Sequence, residues 1–316
     1  MTKTTMTPEW LRRFTKLVAA STLFLIFAGA MVTSTGSGLA VPDWPLSYGM
    51  VFPPMVGGIF YEHGHRMIAA TVGFLTIIQA IWLQRREPKA FVRRLGWVSL
   101  ATVVAQGVLG GITVLFLLPT AVSVSHAGLA EIFLGINVAI AFFTSRFYGS
   151  HSQVPSSDGP GLAVPAMVVV ILVYAQILAG AVMRHLSAGL AIPDFPLSLG
   201  RIVPAFTSTG VAVNYAHRVG ALLVTIAIAA LAPRVMRSAV YGVRALYVVL
   251  IALLSLQITL AAYTVWTAKN PTITSLHVVT GAAILACSIV FALANHMIER
   301  RVAVERFDRG ATEVPA

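Results

Sequence analysis

Four histidines mark where this 316-residue chain could do chemistry: His65, His126, His217 and His277. They form two pairs in matching places of a duplicated sequence. His65 and His217 each head a His-Arg dipeptide, in Glu62-His-Gly-His65-Arg66 and Asn214-Tyr-Ala-His217-Arg218, while His126 and His277 stand 151 residues apart. Imidazole is an axial ligand of haem iron. Two per half allow six-coordination, or one firm and one exchangeable ligand. No Cys, Asp or Glu cluster lies close enough in sequence to suggest a zinc site. A single membrane histidine serves either as a ligand or as a packing and hydrogen-bonding residue, and survival of both pairs in both copies favours ligation at all four. Arg66 and Arg218 are either partners for haem propionates or snorkelling anchors. His63, His151, His185 and His296 have no such repeat partner and are expected to be surface or structural residues.

The duplication is plainest in the segments preceding the His-Arg pairs. Gly38-Leu-Ala-Val-Pro-Asp43-Trp44-Pro45-Leu-Ser-Tyr-Gly49 recurs as Gly189-Leu-Ala-Ile-Pro-Asp194-Phe195-Pro196-Leu-Ser-Leu-Gly200, with nine of twelve positions identical. Chance does not produce this, so the chain is a tandem repeat. The prolines and glycines suit compact turns, and the loops either serve structure alone or also line the site. The halves differ at one informative place. Glu62 lies three residues before His65, and Asn214 three before His217. That spacing puts the side chain on the histidine's face of a helix. A carboxylate at one site and an amide at the other suggests that only the first half performs proton-coupled chemistry; otherwise Glu62 is an exposed loop acid. Glu131, inside an apolar stretch, should face the bundle interior or water, as part of a proton path or as a structural hydrogen-bonding group.

These residues need an apolar scaffold. The chain is 57% hydrophobic and 10% charged, with a mean hydropathy of +0.84, whereas soluble domains are about 25% charged. Eight apolar stretches are long enough to cross a bilayer at about 20 residues each: 14–33, 65–83, 95–118, 121–144, 162–183, 213–232, 243–267 and 273–295. The first is long for a signal peptide and matches an internal stretch in the second half, so it reads as a retained helix. The single Cys287 excludes a disulfide framework. Of the 22 Lys and Arg residues, 17 fall on the side of the termini and 5 on the side of the duplicated loops. This distribution predicts both termini in the cytoplasm. It also explains the net charge of +11 without nucleic acid. Four helices per half is an even number, so the halves enter the membrane in the same direction. The expected fold is an all-α polytopic membrane protein, eight transmembrane helices forming two parallel-repeat four-helix bundles. The division lies at the Ser-, Pro- and Gly-rich linker 145–161, giving halves 1–150 and 151–316.

Taken together, the eight spans, the 4 + 4 repeat, Glu62 to His65-Arg66, His126, His217-Arg218 and His277 resemble the haem A synthase family. The resemblance covers nearly the whole chain. It implies oxidation of a ring methyl of haem O, through hydroxylation, to a formyl group. It also implies that His65 and His126 hold the substrate haem, that His217 and His277 hold a resident haem b, and that Glu62 matches the family's acidic residue near the reacting site. Arg66 and Arg218 would contact the haems. A bacterial inner membrane, a haem O synthase and an electron donor would be the setting and partners. Some members carry cysteine pairs in the outer loops; this chain has none.

Two other functions fit a duplicated four-histidine membrane protein. One is a b-type cytochrome that only carries electrons, which the Glu62/Asn214 difference disfavours. The other is a haem carrier or exporter, which the lack of an interrupted helix pair in the sequence disfavours.

Overall fold

The structure is a computed structural model that describes residues 7–149, 161–238 and 240–312. Among these, eight helices are long and apolar enough to cross a membrane. They are α1 Glu9–Ser34, α2 Gly57–Arg86, α3 Ala90–Leu115, α4 Thr120–Thr144, α5 Ala163–His185, α6 Thr209–Ala229, α7 Tyr241–Trp266 and α8 Pro271–Thr312. In hydrocarbon every backbone N–H and C=O must be paired within the segment, so an apolar run of this length folds as a helix. Their ends follow local chemistry. Pro8 and Pro119 precede α1 and α4, and Pro271 opens α8, where a missing N–H leaves no extra orphan. Ser208 caps α6 by accepting from the Val211 N–H at 3.3 Å.

Each expected apolar stretch falls on one of these helices, with one consistent difference. The hydropathy reading starts the second and sixth stretches at His65 and Val213, yet α2 and α6 begin eight and four residues earlier, at Gly57 and Thr209. In α2 the added turns carry Glu62 and His63, whose polarity hides them from a hydropathy scan. The backbone ladder continues through them because their side chains find partners.

α1 packs on α2 and α4, α2 on α3, and α3 on α4. In the later half α5 packs on α6 and α8, and α7 on α8. The halves meet where α1 and α4 face α8 and where α4 faces α5. Arg184 of α5 crosses this seam, donating to the Ala30 carbonyl at 2.9 Å and Ser34 Oγ at 2.6 Å. Deeper in the first half, Asn137 Oδ1 accepts from Gln79 Nε2 at 2.8 Å and Ser99 Oγ at 3.0 Å, three polar side chains pairing where water is scarce.

Turns repeat at the 151-residue offset. Leu117 and Leu118 adopt positive φ before α4, as Ala268 and Lys269 do before α8. The Trp44–Pro45 and Phe195–Pro196 peptides are both cis. Asp43 accepts from the Tyr48 N–H at 2.6 Å and the Gly49 N–H at 2.8 Å. Asp194 does the same with Leu199 and Gly200, at 2.7 and 2.8 Å.

Candidate functional site

All four paired histidines lie toward the end of their helices nearest the duplicated loops, on α2, α4, α6 and α8. His65 and His126 sit within electrostatic reach of each other, as do His217 and His277. All four are half-buried. Small residues set this geometry. A Cβ on Gly29 of α1 would come 3.0 Å from His65 Cε1, and one on Gly180 of α5 would come 2.9 Å from His217 Cε1. These glycines are 151 residues apart and let each imidazole lie directly on the neighbouring helix. Gly110 of α3 does so less tightly for His126, at 3.3 Å.

Three glutamines accompany these rings. Gln106 of α3 donates to the His126 carbonyl at 2.8 Å. Gln257 of α7 lies with its Nε2 3.4 Å from His277 Nε2. Gln176 of α5 has its Nε2 3.0 Å from His217 Nδ1 and 2.8 Å from the His217 carbonyl. The main-chain carbonyls of Gln106 and Gln257 also lie near the rings of His126 and His277. Sequence reasoning missed all three glutamines and all three glycines. Gln106 and Gln257 stand 151 apart, as do Gly29 and Gly180, so the repeat offset carried the signal.

Glu62 and Asn214 occupy matching places and are each 3% exposed. Glu62 Oε2 accepts from the Val41 N–H at 2.8 Å, and Oε1 accepts from Arg66 Nη2 at 2.6 Å. Asn214 donates to the Ala188 carbonyl at 2.9 Å and accepts from Arg218 Nε at 3.0 Å. Glu62 is therefore a buried helical residue rather than an exposed loop acid. Both arginines clasp the duplicated loops. Arg66 Nη1 donates to the carbonyls of Asp43 and Leu46, each at 2.8 Å. Arg218 donates to the carbonyls of Leu197 at 2.8 Å and Ile192 at 2.9 Å.

The loops thereby rest on the site. Trp44 packs on Gly111, where a Cβ would come 2.7 Å from its ring, next to the Gly110 that faces His126. Main-chain N–H groups of Gly49 and Tyr48 hold the Asp43 carboxyl below the ordinary aspartate value. Gly200 and Leu199 do the same for Asp194.

The remaining candidates take lesser places. His63 is buried with its Nδ1 2.8 Å from Ser47 Oγ, a structural role. His185 ends α5 close to His126, and His296 is exposed on α8. His151 lies outside the described residues. Glu131 is 4% exposed with Oε2 unpartnered. It lies near Tyr174 of α5, at the seam between the halves.

Among the described residues no group of three or more His, Cys, Asp or Glu converges. The donors come in pairs of neutral nitrogens, a set suited to the two axial positions of a haem and poor for tetrahedral zinc. Nδ1 of His65, His126 and His277 is enclosed without a hydrogen-bond partner.

The profile of a cytochrome oxidase assembly protein family matches residues 57–289, a stretch containing all four histidines and Glu62. The haem A synthase of Alkalihalophilus pseudofirmus is 31% identical over 217 residues, covering 66% of this chain and 71% of the relative. That of Shouchella clausii is 31% identical over 68% of this chain and 73% of the relative. That of Geobacillus kaustophilus is 27% identical over 96% of both chains. With a matched stretch that contains all four paired histidines, the chain belongs to the COX15-CtaA family of cytochrome oxidase assembly proteins.

Proposed function

We propose that this chain acts as a haem A synthase whose two halves do different work. It oxidises haem O, converting a ring methyl to a formyl group through hydroxylation. Substrate haem binds in the half 1–150 through His65 and His126, and a resident haem b binds in the half 151–316 through His217 and His277. The observation that carries this reading is that two alike imidazole pairs differ in one buried group, Glu62 against Asn214. A site that only relays electrons needs no carboxylate beside it, whereas oxidation of a methyl group releases protons.

A haem bound to His217 and His277 supplies one-electron transfer. The chain's own residues supply the rest. Glu62, fixed by the Val41 N–H and Arg66, can hold or release a proton about one turn from His65. The guanidinium charges of Arg66 and Arg218 lie at the histidine end of their helices, which suits pairing with propionates while they clasp the loops. The matching turns, loop bonds and glycine contacts at a constant offset support two parallel four-helix repeats. The 17 to 5 division of Lys and Arg supports cytoplasmic termini and outer duplicated loops. A bacterial inner membrane, a haem O synthase as supplier and an electron donor complete the setting.

The deciding experiment is pigment extraction from protein purified out of cells that also supply haem O. Haem b together with haem O or haem A is expected. Haem b alone would make the chain an electron carrier, and loosely held haem alone would make it a haem carrier.

A further inference from the structure

Three of the four rings have a glutamine side chain against the histidine, and one does not. A ligating imidazole binds metal through one nitrogen, and its other N–H is normally bonded to an acceptor that fixes the ring and raises its basicity. His217 has the Gln176 amide against Nδ1. Gln106 donates its Nε2 to the His126 main-chain carbonyl, and both the glutamine Oε1 and the ring Nδ1 of His126 are buried and unpartnered. Beside His277, Gln257 Nε2 lies 3.4 Å from the ring Nε2, while the glutamine Oε1 and the ring Nδ1 are buried and unpartnered. A glutamine amide can serve either tautomer of a neighbouring imidazole because it carries both donor and acceptor.

His65 has no such neighbour. Its Nδ1 is buried and unpartnered, and no side-chain amide bonds to it among the described residues. The reason lies in the sequence. Gln176 stands one turn before Gly180 in α5, and the matching residue one turn before Gly29 in α1 is Leu25. An imidazole held only by packing against Gly29, with its N–H facing no acceptor, is the weaker base and the freer ring.

We propose that His65 is the exchangeable axial ligand of the substrate haem and that His126 is its firm ligand, the difference being set by Leu25 in place of a glutamine. This rests on the functional reading above and extends it to which side of the substrate opens. A resident haem needs two permanent ligands. A substrate haem must enter and leave, so one ligand of its site must yield. The yielding ligand is on the same helix as Glu62, three residues away and one turn along. The open face of the substrate iron therefore adjoins the one carboxylate that distinguishes the two sites. Gln106, Gln176 and Gln257 are positioning residues in this scheme and touch no reacting atom.

The test uses the full chain, purified and reconstituted with haem b and haem O, with the haem count per protein measured first. In His65→Ala the first half should keep its haem, become five-coordinate and bind carbon monoxide rapidly when ferrous. In His126→Ala that haem should be lost. Removing a group that hydrogen-bonds a metal-binding imidazole commonly shifts metal affinity by about 10–100-fold. Gln176→Leu should therefore speed release of the resident haem to apomyoglobin by about that factor. Leu25→Gln should slow release of haem O from the first half by a similar factor, and it adds a partner, so its effect does not depend on damage to the fold. Retention of haem in His126→Ala with loss in His65→Ala would reverse the assignment and overturn it. Unchanged release in both Gln176→Leu and Leu25→Gln would overturn the role of the amide. A first half that takes up no haem in the unaltered protein would overturn the functional reading as well, and the initial haem count separates that failure from the others.

Discussion

Arg66 and Glu62 form a 2.6 Å ion pair across one helical turn, with side chains 15% and 5% exposed. The pair does two jobs, since Arg66 also holds the Asp43 and Leu46 carbonyls. Glu62→Ala would strand a part-buried guanidinium and confuse chemistry with folding. Glu62→Gln keeps an acceptor for Arg66 and reproduces the amide that the second half already carries as Asn214. It should retain resident haem b at normal occupancy while product formation falls by about 10²–10⁴-fold, the usual range for removing an acid–base group. Haem O should accumulate. Haem A made at the unaltered rate by Glu62→Gln would show that Glu62 serves only the fold.

The same geometry ranks the two arginines. Arg66→Ala leaves the Glu62 carboxylate buried and unpaired, and breaking a buried pair from one side costs about 3–5 kcal/mol. Arg218→Ala leaves only neutral acceptors behind, for which losing charge-assisted hydrogen bonds costs about 1.5–3 kcal/mol. Arg66→Ala should therefore be the less stable variant in denaturant unfolding of the detergent-solubilised protein. Equal losses, or a larger loss for Arg218→Ala, would mean that the Glu62 charge adds nothing to the clasp.

Much of this arrangement can be read from the chain, and the parts that cannot share a cause. Apolar length gives the eight helices because lipid permits almost no other backbone state. The duplication gives the His pairs and the Glu62/Asn214 contrast, His126 and His277 standing 151 residues apart and Glu62 and Asn214 152 apart. The start of α2 escapes because hydropathy counts Glu62 and His63 as breaks, although the Val41 N–H and Ser47 satisfy them from the loop. The clasping role of Arg66 and Arg218 escapes for a similar reason, since their partners are main-chain carbonyls, which leave no residue-type signature. Gln176 escapes because its match in the first half is Leu25, and a repeat search rewards identity when here the difference is informative.

The glycines that seat the histidines give a graded test. A Cβ added at Gly180 would lie 2.9 Å from an imidazole carbon, closer than such contacts occur, and one at Gly29 would lie 3.0 Å away, at the tight end of those that do, so the ring must shift at the first and give by a few tenths of an ångström at the second. At Gly110 the distance to His126 is 3.3 Å, and at Gly107 nothing lies within 4 Å. Gly180→Ala should perturb the low-spin spectrum of the resident haem strongly. Gly29→Ala should weaken haem O binding in the first half, Gly110→Ala should do so less, and Gly107→Ala should be silent. Gly107→Ala also improves helix propensity by about 0.8–1.0 kcal/mol, so it should not lower stability. An effect of Gly107→Ala equal to that of Gly29→Ala would show that general packing in these helices, rather than ring contact, governs haem binding.

The duplicated loops carry a pH dependence whose sign is fixed by Asp43 and Asp194. Each carboxylate accepts two main-chain N–H groups, and these bonds favour the ionised form, so the folded value lies below the ordinary 3.8. A group with a lowered folded value contributes its full stabilisation above the unfolded value and loses it as pH falls through the folded one. Loop protection should thus be flat from neutral pH down to about 5 and decline below 3.8. The readout is hydrogen exchange at the Tyr48 and Gly49 amides, and at Leu199 and Gly200, normalised to intrinsic rates. Asp43→Asn should lower protection of Tyr48 and Gly49 already at neutral pH, because one end of an amide is a donor and cannot accept the second N–H. It should also remove the acid-dependent decline in that loop while leaving the Asp194 loop unchanged. Because Arg66 reads the carbonyls of the same loop, the loosening should reach the histidine end of α2 and raise the release rate of haem O. Protection of Tyr48 and Gly49 that stays constant below pH 3.8 in the unaltered protein would show that the clasp from Arg66, and not the Asp43 turn, holds the loop.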